Sequence, residues 1–127
     1  MTDDAGELVA FLVVEGGEPA WAVAIEHVET VLDAGSGGDA VDAAELGAPA
    51  DATFPRRVLR LRSRDQVGAL CVRGKLGVVT IARADIHALP ALVAAHMRAH
   101  AFLEVAVRDD RVPFLIMDVQ AALARSP

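Results

Sequence analysis

The chain has 127 residues, a formal net charge of −6 and 54% hydrophobic residues, with one cysteine, one tryptophan and no tyrosine. That length holds one domain, or two small subdomains sharing a core. The acidic balance argues against nucleic acid as a partner, because phosphate neutralisation by basic side chains supplies most of that affinity. The single Cys71 excludes an internal disulfide.

Residues 1–6 are expected to form a disordered tail, with one domain over 7–127. The opening MTDDAGE is acidic and lacks the basic n-region of a signal peptide. The apolar stretches fall short of the ~20 residues that span a bilayer. These features predict a cytoplasmic protein without direct membrane insertion. Leu8 to Val14 reads as a strand, the turn lies at Glu15-Gly16-Gly17-Glu18, and Ala20 to Ile25 returns. This first hairpin spans 8–25. Glu26 to Leu32 reads as a short helical turn, since Ile25, Val28, Val31 and Leu32 fall at helical spacing. Gly35-Ser36-Gly37-Gly38 breaks the chain, Ala40 to Leu46 reads as a short helix stopped by Gly47, and Pro49 to Pro55 as a loop.

A second hairpin follows from Arg57 to Val72, turning near Ser63-Arg64-Asp65-Gln66. Alternation puts Leu59 and Leu61 on one face and Arg60 and Arg62 on the other. Gly74 and Gly77 flank an expected turn, Leu76 to Ile81 is a strand, and Ala82 to Pro90 is a loop. Ala91 to His100 is Ala-rich and reads as helical. The third hairpin runs from Phe102 to Met117 and turns at Arg108-Asp109-Asp110-Arg111. Asp118 is a good N-cap for a helix over Val119 to Ala124, with Val119, Ala122 and Leu123 on one face. The expected fold is mainly β with a short C-terminal helix.

Candidate chemistry is sparse. His96 and His100 stand i, i+4, a spacing that lets two imidazoles share a zinc ion on one helix face. The metalloprotease form needs Glu after the first His, where Met97 stands, and no third ligand is nearby. Solvated histidines are the simpler reading. The three serines lie outside any G-x-S-x-G elbow. The segment VRGKLG has no GK[ST] and no helix after it, so it reads as a tight turn. Cys71 reads as a buried structural thiol. No enzyme, metal or cofactor is expected. The strongest charge feature is the run Arg56, Arg57, Arg60, Arg62 and Arg64. It reads as the solvated face of an edge strand, or as an electropositive strip for an acidic protein partner.

The opening LVAFLVVEGGEPAWAVAIEHVETVL, the middle RVLRLRSRDQVGALCVRGKLGVV with IHALPALV, and the closing FLEVAVRDDRVPFLIMDVQAALA together resemble a CheW-like domain, the coupling module of bacterial chemosensory arrays. The resemblance covers about four-fifths of the chain and rests on apolar patterns. It implies two small SH3-like β-barrel subdomains, the first incomplete, with the second-half barrel at about 57–117. It implies a non-catalytic adaptor between a chemoreceptor cytoplasmic tip and the regulatory domain of a CheA-type histidine kinase. Two features depart from the family. The Leu-Arg-Gly segment expected after the first helical turn is compressed to GSGGDAVDAAELG, and the Glu of V-x-E-V falls on Thr30. The reading is therefore a shortened coupler that keeps one docking surface, with an open barrel edge that invites strand addition by a partner or self-pairing. The partner-binding candidates are Val28, Glu29, Thr30, Val31, Arg60, Arg62, Asp65 and Asp109. The alternative is a small-ligand-binding β-barrel, whose cavity needs a few inward polar groups among apolar walls.

Overall fold

The computed structural model describes residues 7–17, 19–33, 40–46, 48, 51, 53–90, 92, 101–108 and 111–124. The expectations for residues 1–6, Gly35–Gly38, the helix over 91–100 with His96 and His100, and the turn at Asp109 fall outside these residues.

The chain is mainly β and forms two subdomains, each built on one sheet. Ten strands are described: β1 Leu8–Glu15, β2 Ala20–Ala24, β3 Val28–Asp33, β4 Val41–Asp42, β5 Arg56–Ser63, β6 Gln66–Arg73, β7 Lys75–Ala82, β8 Ile86–Ala88, β9 Phe102–Arg108 and β10 Arg111–Met117. A helix, α1, covers Val119–Ala124. The larger sheet has the order β7-β1-β2-β10-β9-β8, and the smaller one β3-β5-β6-β4. Most neighbours are antiparallel, but β2 runs parallel to β10 and β4 parallel to β6.

The three expected hairpins are all present, as β1–β2, β5–β6 and β9–β10. Their distribution between sheets does not follow a boundary near residue 57. β5 and β6 pair with β3 and β4, whereas β7 to β10 join β1 and β2. The joint is Gly74. A Cβ there would stand 2.9 Å from the carbonyl carbon and oxygen of Glu15 and from the Gly16 nitrogen. Only glycine lets β6 leave one sheet and β7 enter the other against the β1 turn.

Four local expectations are corrected. Glu26 to Leu32 is not a helical turn: a 3-10 turn at Ile25–His27 leads into strand β3. Its β-branched Val and Thr residues suit a pleated strand, and pairing to β5 decides the outcome. Ala40 to Leu46 is the two-residue β4 followed by a 3-10 turn, Ala43–Leu46. Gly77 lies inside β7 and not at a turn. The loop expected over Ala82 to Pro90 contains a 3-10 turn, Arg83–Asp85, and the short β8.

Alternation along β1 sends its side chains to two different cores. Leu12 and Val14 join Trp21, Val23, Leu59, Leu61, Leu70 and Phe102 between the sheets, with Val119, Ala122 and Leu123 of α1. Phe11 and Val13 join Ala22, Ile81, Ala106, Phe114 and Ile116 on the other face. The larger sheet is thus covered on both faces. Edge-to-face ring pairs mark both cores, Trp21–Phe102 at 6.2 Å and Phe11–Phe114 at 5.9 Å between centroids. Asp118 caps α1 as expected. Its carboxylate accepts from the Ala121 N–H at 3.2 Å, while its own N–H donates to the Ala101 carbonyl at 2.9 Å.

Candidate functional site

β3 ends the smaller sheet, and β5 lies beside it. The pairing Val28↔Leu61 is followed by Thr30↔Arg60, so Glu29 is an extra residue in the ladder. Such a bulge re-aims a side chain. Here the Glu29 carboxylate accepts from the Arg62 guanidinium, with 2.6 Å between Oε1 and Nε. The backbone of Arg62 is held as well, since the His27 imidazole donates from Nδ1 to the Arg62 carbonyl at 3.0 Å. The Nε2 of His27 lies 3.6 Å from Glu26.

The structure therefore gathers Glu29, Thr30, Arg60 and Arg62 on one side of the smaller sheet. Val28 turns the other way and packs against the inter-sheet core. Val31 is 39% exposed at the sheet edge. Asp65 is exposed at the tip of the β5–β6 hairpin, in a two-residue loop between the paired Ser63 and Gln66. Its loop partner Arg64 has a left-handed φ of 56°.

The arginine run is not one uniform strip. The Arg56 guanidinium donates to the Cys71 sulfur at 2.9 Å, and Cys71 is buried, as its mid-strand place predicts. Arg57 stands opposite Asp33 across the β3–β5 pairing. Arg62 is engaged by Glu29. Arg60 is exposed, opposite Thr30 on one neighbour and Ala69 on the other. Among the described residues it has no ion-pair partner.

A cleft of about 710 Å³ lies beside the second core of the larger sheet, bordered by the tip of the β5–β6 hairpin and the start of α1. Phe11, Ile86 and Glu104 form its wall on the larger sheet, His27 and Arg64 face them, and Asp118 closes one end at the start of α1. The volume falls within the ~300–1,000 Å³ range typical of ligand clefts. Sequence reasoning did not find this cleft, because its lining comes from elements far apart in the chain. At the end of β6, where its N–H donates to the Arg73 carbonyl, the Asp51 carboxylate accepts from the Thr53 hydroxyl at 2.6 Å and from the Thr53 N–H at 2.9 Å. Both bonds, the hydroxyl's foremost, hold Asp51 below the usual carboxylate range.

Among the described residues, no group of three or more His, Cys, Asp or Glu side chains is placed to hold a metal ion, and no helix is long and apolar enough to cross a membrane.

No family model matches the sequence, and no curated protein matches it at a significant level. Among solved structures, the chain is similar to the scaffolding protein TtCheW from Thermoanaerobacter tengcongensis. The TM-score is 0.68 at 15% identity, over 88% of this chain and 90% of that one. The fold is CheW-like. The match covers most of this chain and so spans both sheets.

Proposed function

We propose that this protein is a non-catalytic adaptor of a bacterial chemosensory system, acting in the cytoplasm to couple a chemoreceptor to a CheA-type histidine kinase. The observation that carries this reading is the CheW-like fold over nearly the whole of both chains. The cleft beside the second core, with Phe11 and Ile86 on its wall, is the groove offered to the helical tip of a receptor, since an amphipathic helix lays its apolar face into such a groove. The Val28–Val31 segment, Arg60 and Arg62, and the turns at Asp65 and Asp109 are the surfaces offered to the kinase domain. Thr30 stands where the resemblance implies Glu, which supports an altered docking surface and one strong partner rather than two.

Calorimetry with two separate fragments tests this. One is the cytoplasmic tip of the neighbouring receptor; the other is the regulatory domain of the neighbouring kinase. Binding of one alone supports the shortened coupler, and binding of both supports an ordinary one. Binding of neither overturns the proposal. A small-ligand-binding β-barrel is the second reading, with the cleft as its place. A midpoint of thermal unfolding that rises with a metabolite, while both fragments stay unbound, would establish that second reading.

A further inference from the structure

The cleft beside the second core combines apolar lining from Val9, Phe11, Ile86 and Ile116 with charges of opposite sign on facing walls. Ser63 and Arg64 come from the tip of the β5–β6 hairpin, and Glu104 comes from β9. Alternation along β5 puts Ser63 in one row with Leu59 and Leu61, so its side chain turns inward. Ser63 is 7% exposed, and its hydroxyl has no hydrogen-bond partner among the described residues. A buried polar group left without a partner costs free energy, and a docked group can supply what is missing.

Arg64 beside it is exposed and also unpaired among the described residues. Its φ of 56° is left-handed, where glycine is the ordinary occupant. An arginine at such a position, bonded to nothing in its own chain, points to a use outside the chain. The hairpin tip is held in place, because His27 donates to the carbonyl of Arg62, the residue before Ser63. Across the cleft Glu104 is exposed and unpaired among the described residues. The remaining charges of the lining have local roles. Asp118 caps α1, Arg83 pairs with Glu7, and Glu26 stands 3.6 Å from His27 with its side chain 79% exposed. Asp65, next to Arg64 in the turn, is not part of the lining.

We propose that Ser63 and Arg64 take a carboxylate, and Glu104 a cation, of one amphipathic helix lying on the apolar lining, so that the two charges fix the helix's direction. Because that helix is the receptor tip, the pairing rests on the coupling role proposed for the chain. Charge complementarity selects this occupant. A wholly acidic segment meets Glu104 and Glu26, and a wholly basic one meets Arg64. A wholly apolar one leaves the Ser63 hydroxyl unpaired. A helix with an acidic residue at one end of its apolar stripe and a basic residue at the other satisfies all of these groups.

Calorimetry of the full chain with the receptor-tip fragment tests the two anchors. Arg64→Gly is expected to weaken binding about tenfold, the scale of a hydrogen bond to a charged group, while its urea midpoint does not fall. Affinity that drops as stability holds or rises separates a binding role from a structural one. Glu104→Gln and Ser63→Ala are each expected to weaken binding about threefold. Lys75→Gln, which removes a cation outside the cleft, is expected to leave binding as it is. Acidic residues of the tip are also changed to lysine one at a time. One such change is expected to abolish binding to the natural chain and to regain it with Arg64→Glu. A tip that binds the natural chain and Arg64→Gly equally overturns the proposal and leaves the coupling role standing. So does a loss from Lys75→Gln as large as that from Arg64→Gly, or a set of lysine variants none of which Arg64→Glu restores. A tip that binds no form of the chain overturns both the proposal and the receptor half of the coupling role.

Discussion

β3 and β7 each terminate a sheet, and they differ in how the termination is guarded. β3 carries Glu29 and Asp33, bulges at Glu29, and turns that carboxylate onto Arg62 of its neighbour. A strand approaching β3 meets charge and an irregular row of backbone groups. β7 offers a regular row of backbone groups and an exposed valine. The contrast shows that an arginine-rich face and an unguarded edge are separate matters. The five arginines decorate the guarded sheet, where Arg56 and Arg62 are already engaged by Cys71 and Glu29. The bare edge lies on the sheet with the less conspicuous sequence.

Several substitutions break or sharpen this contrast. The largest effect is expected at the joint between the two sheets. Gly74→Ala puts a methyl group against the Glu15 and Gly16 backbone, and overpacking of this kind costs about 1–3 kcal/mol. A lower urea midpoint with an unchanged slope is the expected outcome. Arg64→Gly acts in the opposite direction. A left-handed φ costs a residue with a Cβ roughly 1–2 kcal/mol, partly offset by the greater freedom of glycine when unfolded. A net gain of up to about 1 kcal/mol is expected by the same denaturation assay. The Glu29–Arg62 contact is half exposed, so a double-mutant cycle is expected to return only about 0.2–1 kcal/mol. Its larger consequence concerns the edge. Replacing both residues with valine strips β3 of its guard, and concentration-dependent association through β3 is the expected result by sedimentation.

The smallest effect is electrostatic. The Asp51 pKa is depressed by Thr53, so its contribution to stability is present above the unfolded carboxyl's pKa and is lost as pH falls through the lower folded value. The window lies in acid, below about pH 4. Thr53→Val removes the hydroxyl donor, and an NMR titration is expected to show the Asp51 midpoint rising.

The hairpins were legible because their apolar runs and turn residues are local. The Leu59/Leu61 against Arg60/Arg62 division follows directly from alternation, and the structure keeps it. β3 was misread because the bulge at Glu29 interrupts period-two alternation and leaves Ile25, Val28 and Val31 at a spacing that imitates a helix. β8 has three residues, too few to show a period. Which strand joins which sheet was not readable at all. β6 and β7 are separated by Gly74 alone, yet they part company, because the choice depends on backbone contact with Glu15 and Gly16 from the opposite end of the sequence. The candidate surface was half legible for the same reason. Its residues were named, but the pairing of Glu29 with Arg62 and the cleft beside the second core depend on long-range register.

The larger sheet also sets the order in which the molecule can be made. The β5–β6 hairpin closes a two-residue loop, so its contacts are local and can form early. β1 must wait for β7, and β2 must wait for β10, with Ala20 finally pairing with Phe114. Closing such long loops before any contact rewards them makes assembly slow, on the millisecond-to-second scale of non-local β folds. During synthesis the β1–β2 hairpin therefore spends most of its time without its partners, with Trp21 and Phe11 uncovered. Refolding kinetics followed by the single Trp21 would report the closing of the large sheet, because that buried ring packs edge-to-face on Phe102 of β9.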